Sequence, residues 1–203
     1  TKKTPNQLTE NQIIEDLLGN MPSTDEVAVE LPSRNKFYNL MDPAKPITVR
    51  PMTFKDERAM MSNKNVNVDV INLLLTRCVS NINIGSLLQM DKLFLIMKLR
   101  EISYGEDYQA NINCNSCKHD NKVTFQLNQL PVVFIEEDMT NPFSVKLPIL
   151  KKTVKLRLPR VEEETYFTNV DASISNLWRF VEEIEGYTSK KIISKVIPQL
   201  PLK

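Results

Sequence analysis

Two long stretches in the middle of the chain carry a helical pattern. In Val68–Ser80 the residues Val68, Ile71, Leu75, Cys78 and Val79 share one helical face. In Met90–Tyr104 apolar residues go around most of the helix, which predicts burial in its own core or under a partner. Asp91 is the expected cap of this second helix. Asn6–Leu18 predicts a shorter helix with Leu8, Ile13, Ile14 and Leu17 on one face, followed by a polar linker through Asp25. Thr53 reads as an N-cap, with Asp56 and Glu57 in the first turn of a helix through Met61.

Elsewhere the period is two. Val27, Val29 and Leu31 alternate with polar residues, as do Ile47 and Val49, within an extended Val27–Met52 region. Tyr108, Ala110 and Ile112 alternate before a tight turn, and Val123, Phe125 and Leu127 after it, which predicts a hairpin. Val132–Leu158 reads as extended, and the closing region as helical, with Glu162–Glu164, Ile174, Leu177, Trp178, Val181 and Ile184 at helical spacing. The fold class expected is α+β: a helical core with a Cys-x2-Cys hairpin and short antiparallel strands. Residues 1–26 form an arm and linker in this reading, and 27–203 a single domain with the 106–130 hairpin as a sub-element.

Composition narrows the function. The 203 residues suffice for a hydrophobic core, and the net charge of +1 gives no broad field for nucleic acid or anionic membrane. Thr1–Gln12 lacks the apolar core of a signal peptide, and Leu93–Met97 is too short to span a bilayer, so a soluble protein is expected. With 4 glycines against 12 prolines, no phosphate-binding loop can be built. Gly19, Gly105 and Gly186 each follow a helical pattern and read as C-caps.

The chain has three cysteines and one histidine, and the run Ile112–Lys122 holds three of the four. Cys114 and Cys117 at a hairpin tip have the spacing of a zinc knuckle, in which two thiolates converge on one tetrahedral ion. With Cys78 and His119 they would make a closed site of three thiolates and one imidazole for one structural zinc. Cys78 also fits as a small buried apolar residue, and His119 as a solvated turn residue. A redox Cys-x-x-Cys opens a helix, whereas a strand pattern follows this pair. Three cysteines do not make a disulfide framework, so a reducing compartment is expected.

Catalytic constellations are absent: there is no Ser-His-Asp logic and no Gly-x-Ser-x-Gly elbow. The acidic runs Glu136–Asp138 and Glu162–Glu164 read as solvated faces. Lys151–Arg157 alternates as a strand, with Lys155 and Arg157 opposite Val154, Leu156 and Leu158. It reads as an edge strand protected by charge, with phosphate contact as the alternative.

The order of segments resembles one family. Val29-Glu30-Leu31-Pro32-Ser33-Arg34-Asn35-Lys36-Phe37-Tyr38, then Ile47-Thr48-Val49-Arg50-Pro51-Met52-Thr53 and an acidic helix start, is similar to the opening of T4-type bacteriophage baseplate proteins. These are small hub and hub-assembly components of contractile tails. Leu99-Arg100-Glu101-Ile102-Ser103-Tyr104-Gly105-Glu106-Asp107-Tyr108, leading to the Cys-x2-Cys-x-His run, resembles the family's central segment. The resemblance covers Val29 to Leu130. The chain departs from it at Asn115 and Lys118, where the family's knuckle carries proline and glycine, and at Asn35, where glycine is expected. Asn tolerates the left-handed conformation that such a turn wants.

The resemblance implies a non-enzymatic building block or assembly factor of the baseplate hub. Such a protein would be put together in the bacterial cytoplasm and localised to the virion tail. Its partners would be other hub proteins and the tape-measure protein, in a homo-oligomer or hetero-complex. The competing class is a zinc-ribbon nucleic-acid adaptor, which predicts salt-dependent binding.

Overall fold

The computed structural model describes residues 9–19, 26–61 and 68–201. Helix α1 (Glu10–Gly19) opens the described chain with Ile14 and Leu17 exposed; residues 6–8 of the expected helix lie outside the described residues. Strands β1 (Val27–Val29) and β2 (Ile47–Val49) pair antiparallel, Val27 opposite Val49 and Val29 opposite Ile47.

Helix α2 (Phe54–Met61) starts at the expected cap. The Asp56 N–H donates to Thr53 Oγ1 at 3.4 Å, and the Asp56 carboxylate accepts from the Thr53 N–H at 3.0 Å and hydroxyl at 2.7 Å. This is the reciprocal logic of a capping box, with aspartate in the place of glutamate. Burial works against the Asp56 carboxylate, but hydrogen bonds from Arg50 (2.9 Å) and Thr53 outweigh it and hold its pKa at about 2.

Helix α3 (Val68–Cys78) stops two residues before the sequence pattern does. Val79 and Ser80 leave it as β3, which adds to β2 with Val79 opposite Val49. A buried Val79 can face the core from either conformation, so its spacing alone does not distinguish them.

Helix α4 (Gln89–Tyr104) ends at Gly105, whose φ of +89° and N–H bond to the Glu101 carbonyl (2.9 Å) close it as expected. Its start differs from expectation. Leu88 occupies the cap position, and Asp91 lies in the first turn, fully buried. There its carboxylate accepts from the Ser33 N–H at 3.0 Å and from the Tyr38 hydroxyl. The Tyr38 oxygen in turn accepts from the Leu88 N–H at 2.8 Å. Burial foremost, and then Asp91, push the Tyr38 phenol well above its usual range. The 31–36 turn, with Arg34 at φ +53° and Asn35 at φ +58°, is thereby fixed to the head of α4. Asn35 adopts the left-handed conformation that its place in the turn requires.

Strands β4 (Asp107–Asn113) and β5 (Asp120–Gln126) form the expected hairpin, a two-stranded antiparallel ribbon. Arg100 straps its base to α4, donating to the carbonyls of Gly105 (3.2 Å) and Asp107 (3.3 Å).

The last part of the chain departs most from the sequence pattern. Strands β6 (Phe143–Lys146), β7 (Thr153–Leu156) and β8 (Val181–Ile184) form an antiparallel sheet in that order. Residues 181–184 are therefore a strand rather than the continuation of a helix, and β7 is central rather than an edge. Helical residues in this region are α5 (Val170–Asn176), α6 (Lys190–Val196) and 3-10 turns over Val161–Tyr166, Leu177–Phe180 and Ile197–Gln199. Gly186, at φ +87°, belongs to the turn closed by the Ile184–Tyr187 bridge after β8, not to a helix end. Glu162–Glu164 lie in a 3-10 segment, Val161–Tyr166.

Among the described residues most of the buried apolar side chains fall into two clusters, with Val70, Leu88 and Leu127 outside both. The larger joins Leu31, Ile47 and Val49 to Leu75, Cys78, Leu95 and Leu99 of the two long helices. The smaller joins Val154, Val181 and Ile193 under Trp178 and Ile184. Lys92 of α4, almost buried, pairs with Glu164 at 2.6 Å and ties the helix to the 161–166 segment.

Candidate functional site

The apolar belt around α4 faces two ways. Leu95 and Leu99 enter the core, whereas Leu93, Phe94 and Met97 line an open groove of about 390 Å³. Its other wall is the segment after β5, with Leu127, Leu130, Pro131, Val132 and Val133, and the paired Lys98 and Glu101 also line it. Leu93 is 60% exposed and Val133 80%. The far wall is tied to the 31–36 turn. The Ile135 N–H donates to the Pro32 carbonyl at 3.0 Å, Arg34 Nε donates to the Ile135 carbonyl at 3.0 Å, and Lys36 Nζ reaches the Glu137 carbonyl. The Arg34 guanidinium also lies 5.4 Å from the Phe134 ring centroid.

The sequence shows the all-round apolarity of Met90–Ile102 but gives no direct sign of this second wall. The available signal is the run Leu130–Ile135, apolar with no alternation and therefore not half-buried strand.

The cysteines separate. Cys114 and Cys117 sit in the turn of the β4–β5 ribbon, Cys117 exposed and Cys114 partly so. The Cys114 N–H donates to the His119 carbonyl and the Lys118 N–H to the Cys114 carbonyl, both at 2.9 Å. Asn113 Nδ2 braces the turn from below, donating to the Lys118 carbonyl at 3.0 Å. Lys118 takes φ +59°, the left-handed conformation for which glycine is the easier residue. Hydrogen bonding within the turn, from the Cys117 and Ser116 backbone first and then the Cys117 side chain, lowers the Cys114 thiol pKa.

Cys78 is in a different environment. It is buried in the larger core cluster at the end of α3, where desolvation raises its thiol pKa. His119, exposed, follows the turn. Among the described residues no three Cys, His, Asp or Glu side chains come together as a group able to hold a metal ion, so the structure does not assemble Cys78, Cys114, Cys117 and His119 as a set.

Lys155 of β7 and Arg157 just after it are engaged by β8 and by the 161–166 segment. Lys155 pairs with Glu183 at 2.7 Å, and Arg157 pairs with Glu182 at 2.9 Å and, in a bidentate fork, with Glu163. Arg157 is held further into its charged form, chiefly by Glu163. Among the described residues no helix is long and apolar enough to cross a membrane.

Groove and ribbon tip are both surfaces turned outward. The model of the T4 bacteriophage base plate protein family matches residues 11–201, and the chain belongs to that family. It is a structural protein of the phage tail baseplate, and its partners are other baseplate components. The match extends well beyond the Val29–Leu130 stretch that carries the sequence resemblance. No curated protein and no solved structure matches the chain significantly.

Proposed function

We propose that this protein is a non-enzymatic structural or assembly component of the baseplate hub of a contractile-tailed phage. In this reading it holds hub proteins and the tape-measure protein through direct contacts, and its α4 groove is the principal contact surface. The observation that carries the reading is that groove, in a chain of a baseplate family: apolar on both walls, open, and bounded by residues as exposed as Leu93 and Val133. An apolar trough lined also by one ion pair suits an apolar helix or segment of a neighbouring protein.

Quantitative mass spectrometry of purified tails tests the placement by counting this chain against sheath and tube subunits. A fixed low copy number, a small multiple of three, is expected for a resident hub protein. Presence only in tail-assembly intermediates would assign it to assembly. Absence from tails and intermediates alike would refute the proposal.

A further inference from the structure

We propose that the acidic helix α1 of one copy of this chain docks on the lysine-rich, apolar-centred face that the β6–β7 loop and α6 form in a second copy, joining copies head to tail. The inference rests on charge and exposure at these two places, not on the hub reading.

The face begins as a bias in the sequence. Residues 143–156 and 189–201 together hold seven lysines and no acidic residue. Lys155 and Lys190 are paired, with Glu183 at 2.7 Å and Glu182 at 3.0 Å. The other five, Lys146, Lys151, Lys152, Lys191 and Lys195, are exposed and make no ion pair among the described residues. Folding then brings the two stretches together. The Leu147 N–H donates to the Lys152 carbonyl at 2.8 Å and the Lys151 N–H to the Leu147 carbonyl at 3.0 Å, which closes 147–152 as a tight loop between β6 and β7. Leu147 to Leu150 share a cleft of about 60 Å³ with Leu200 and Pro201, and Leu147 and Ile197 pack beside Ile193 of α6 in the smaller core cluster. Ile149 (49%), Leu150 (45%) and Ile192 (49%) stay exposed in these same lysine-rich stretches. Glu185 reaches the base of the loop, accepting from the Thr153 N–H, and one carboxylate does not balance five ammonium groups.

Helix α1 is complementary in both respects. It carries Glu10, Glu15 and Asp16 and no cation. Ile14 and Leu17 are exposed on one side of it, and Glu10 lies on that side one turn before Ile14. A purely polyanionic partner such as nucleic acid would match the lysines and leave Ile149, Leu150 and Ile192 uncovered. A purely apolar segment would leave the charge unmatched. An acidic amphipathic helix answers both. Exposed ion pairs contribute little individually, so the apolar contact supplies the affinity, while the charges set orientation and salt dependence. Within one chain the two surfaces stand open at once, and exchange between copies covers both. The contact is heterologous: each copy gives α1 to one neighbour and the lysine face to another, so association grows until a ring closes.

The test uses the full chain, with mass followed by light scattering over a concentration series at about 0.05 M and about 0.5 M salt. The expected result is self-association at low salt that weakens about tenfold or more at high salt. Ile14→Gln with Leu17→Gln should leave the chain monomeric, as should Lys151→Glu with Lys152→Glu. All four positions are exposed, so both variants keep the fold, which circular dichroism checks. Mixing the two variants is the decisive step: one retains the lysine face and the other retains α1, so together they should form a pair of twice the monomer mass and grow no further. A parent chain that stays monomeric, association that survives the lysine changes, or a mixture that stays monomeric would each overturn the proposal.

Discussion

The helical core and the β4–β5 ribbon are neighbours along the chain that handle the same residue types in opposite ways. In the core, Leu75, Leu95 and Leu99 are sealed between α3, α4 and the β1–β3 sheet. In the ribbon, Tyr108, Ile112 and Val123 stay at the surface, joined to the rest mainly through the Arg100 strap and the Leu127 N–H bond to the Glu106 carbonyl. One region seals its apolar residues by its own folding; the other keeps an open apolar face. The groove beside α4 marks the boundary, because one helix supplies both the sealed row and the open one.

The contrast can be broken by truncation. Leu95→Ala, at a fully buried site, is expected to cost about 3 kcal/mol in denaturant unfolding, whereas Ile112→Ala on the ribbon should stay within about 0.5 kcal/mol. Equal losses would mean that the ribbon contributes to the same core. Lys92→Met comes next. Removing one partner of the nearly buried Lys92–Glu164 pair leaves a carboxylate without its cation, at a cost of about 3 kcal/mol, and the double change Lys92→Met with Glu164→Leu should recover much of it.

A smaller, pH-dependent effect belongs to Asp56. Its folded pKa of about 2 lies below the usual 3.8, so the carboxylate stabilises the fold above pH 4, and that contribution is lost as pH falls toward 2. Urea midpoints of Asp56→Asn should show a flatter pH dependence across that window than those of the parent chain. Smallest in stability is Leu93→Asp on the open row, expected within about 0.5 kcal/mol of the parent, yet it should abolish co-purification with baseplate neighbours. Retained co-purification would move the contact surface away from the groove.

Where the chain is legible in its sequence, local signals and tertiary packing agree. The Thr53 cap, both long helices, the Gly105 stop and the ribbon alternation are all decided within a few residues, and each is found. The closing region is not legible in that way. Trp178, Val181 and Ile184 fit an i, i+3, i+6 row, while what decides their conformation is a strand nearly thirty residues upstream. With 181–184 read as helix, β7 has no second neighbour, and its charges look like edge protection instead of partners for Glu182 and Glu183. Asp91 misleads for a related reason. An aspartate near a helix start reads as a cap until Tyr38, fifty-three positions away, is seen to donate to it. The groove's second wall has no periodic signature at all, since irregular apolar backbone is positioned by single hydrogen bonds to distant turns.

Those tethers have a kinetic meaning. Residues 130–137 have no strand partner, yet they are held in one conformation through Ile135, Arg34 and Lys36. A wall fixed by folding need not be organised during encounter, so little conformational entropy remains to be lost when a neighbour docks. Association at this surface should therefore proceed as the meeting of two rigid shapes, and loosening the Arg34 tether should slow capture before it weakens the finished complex.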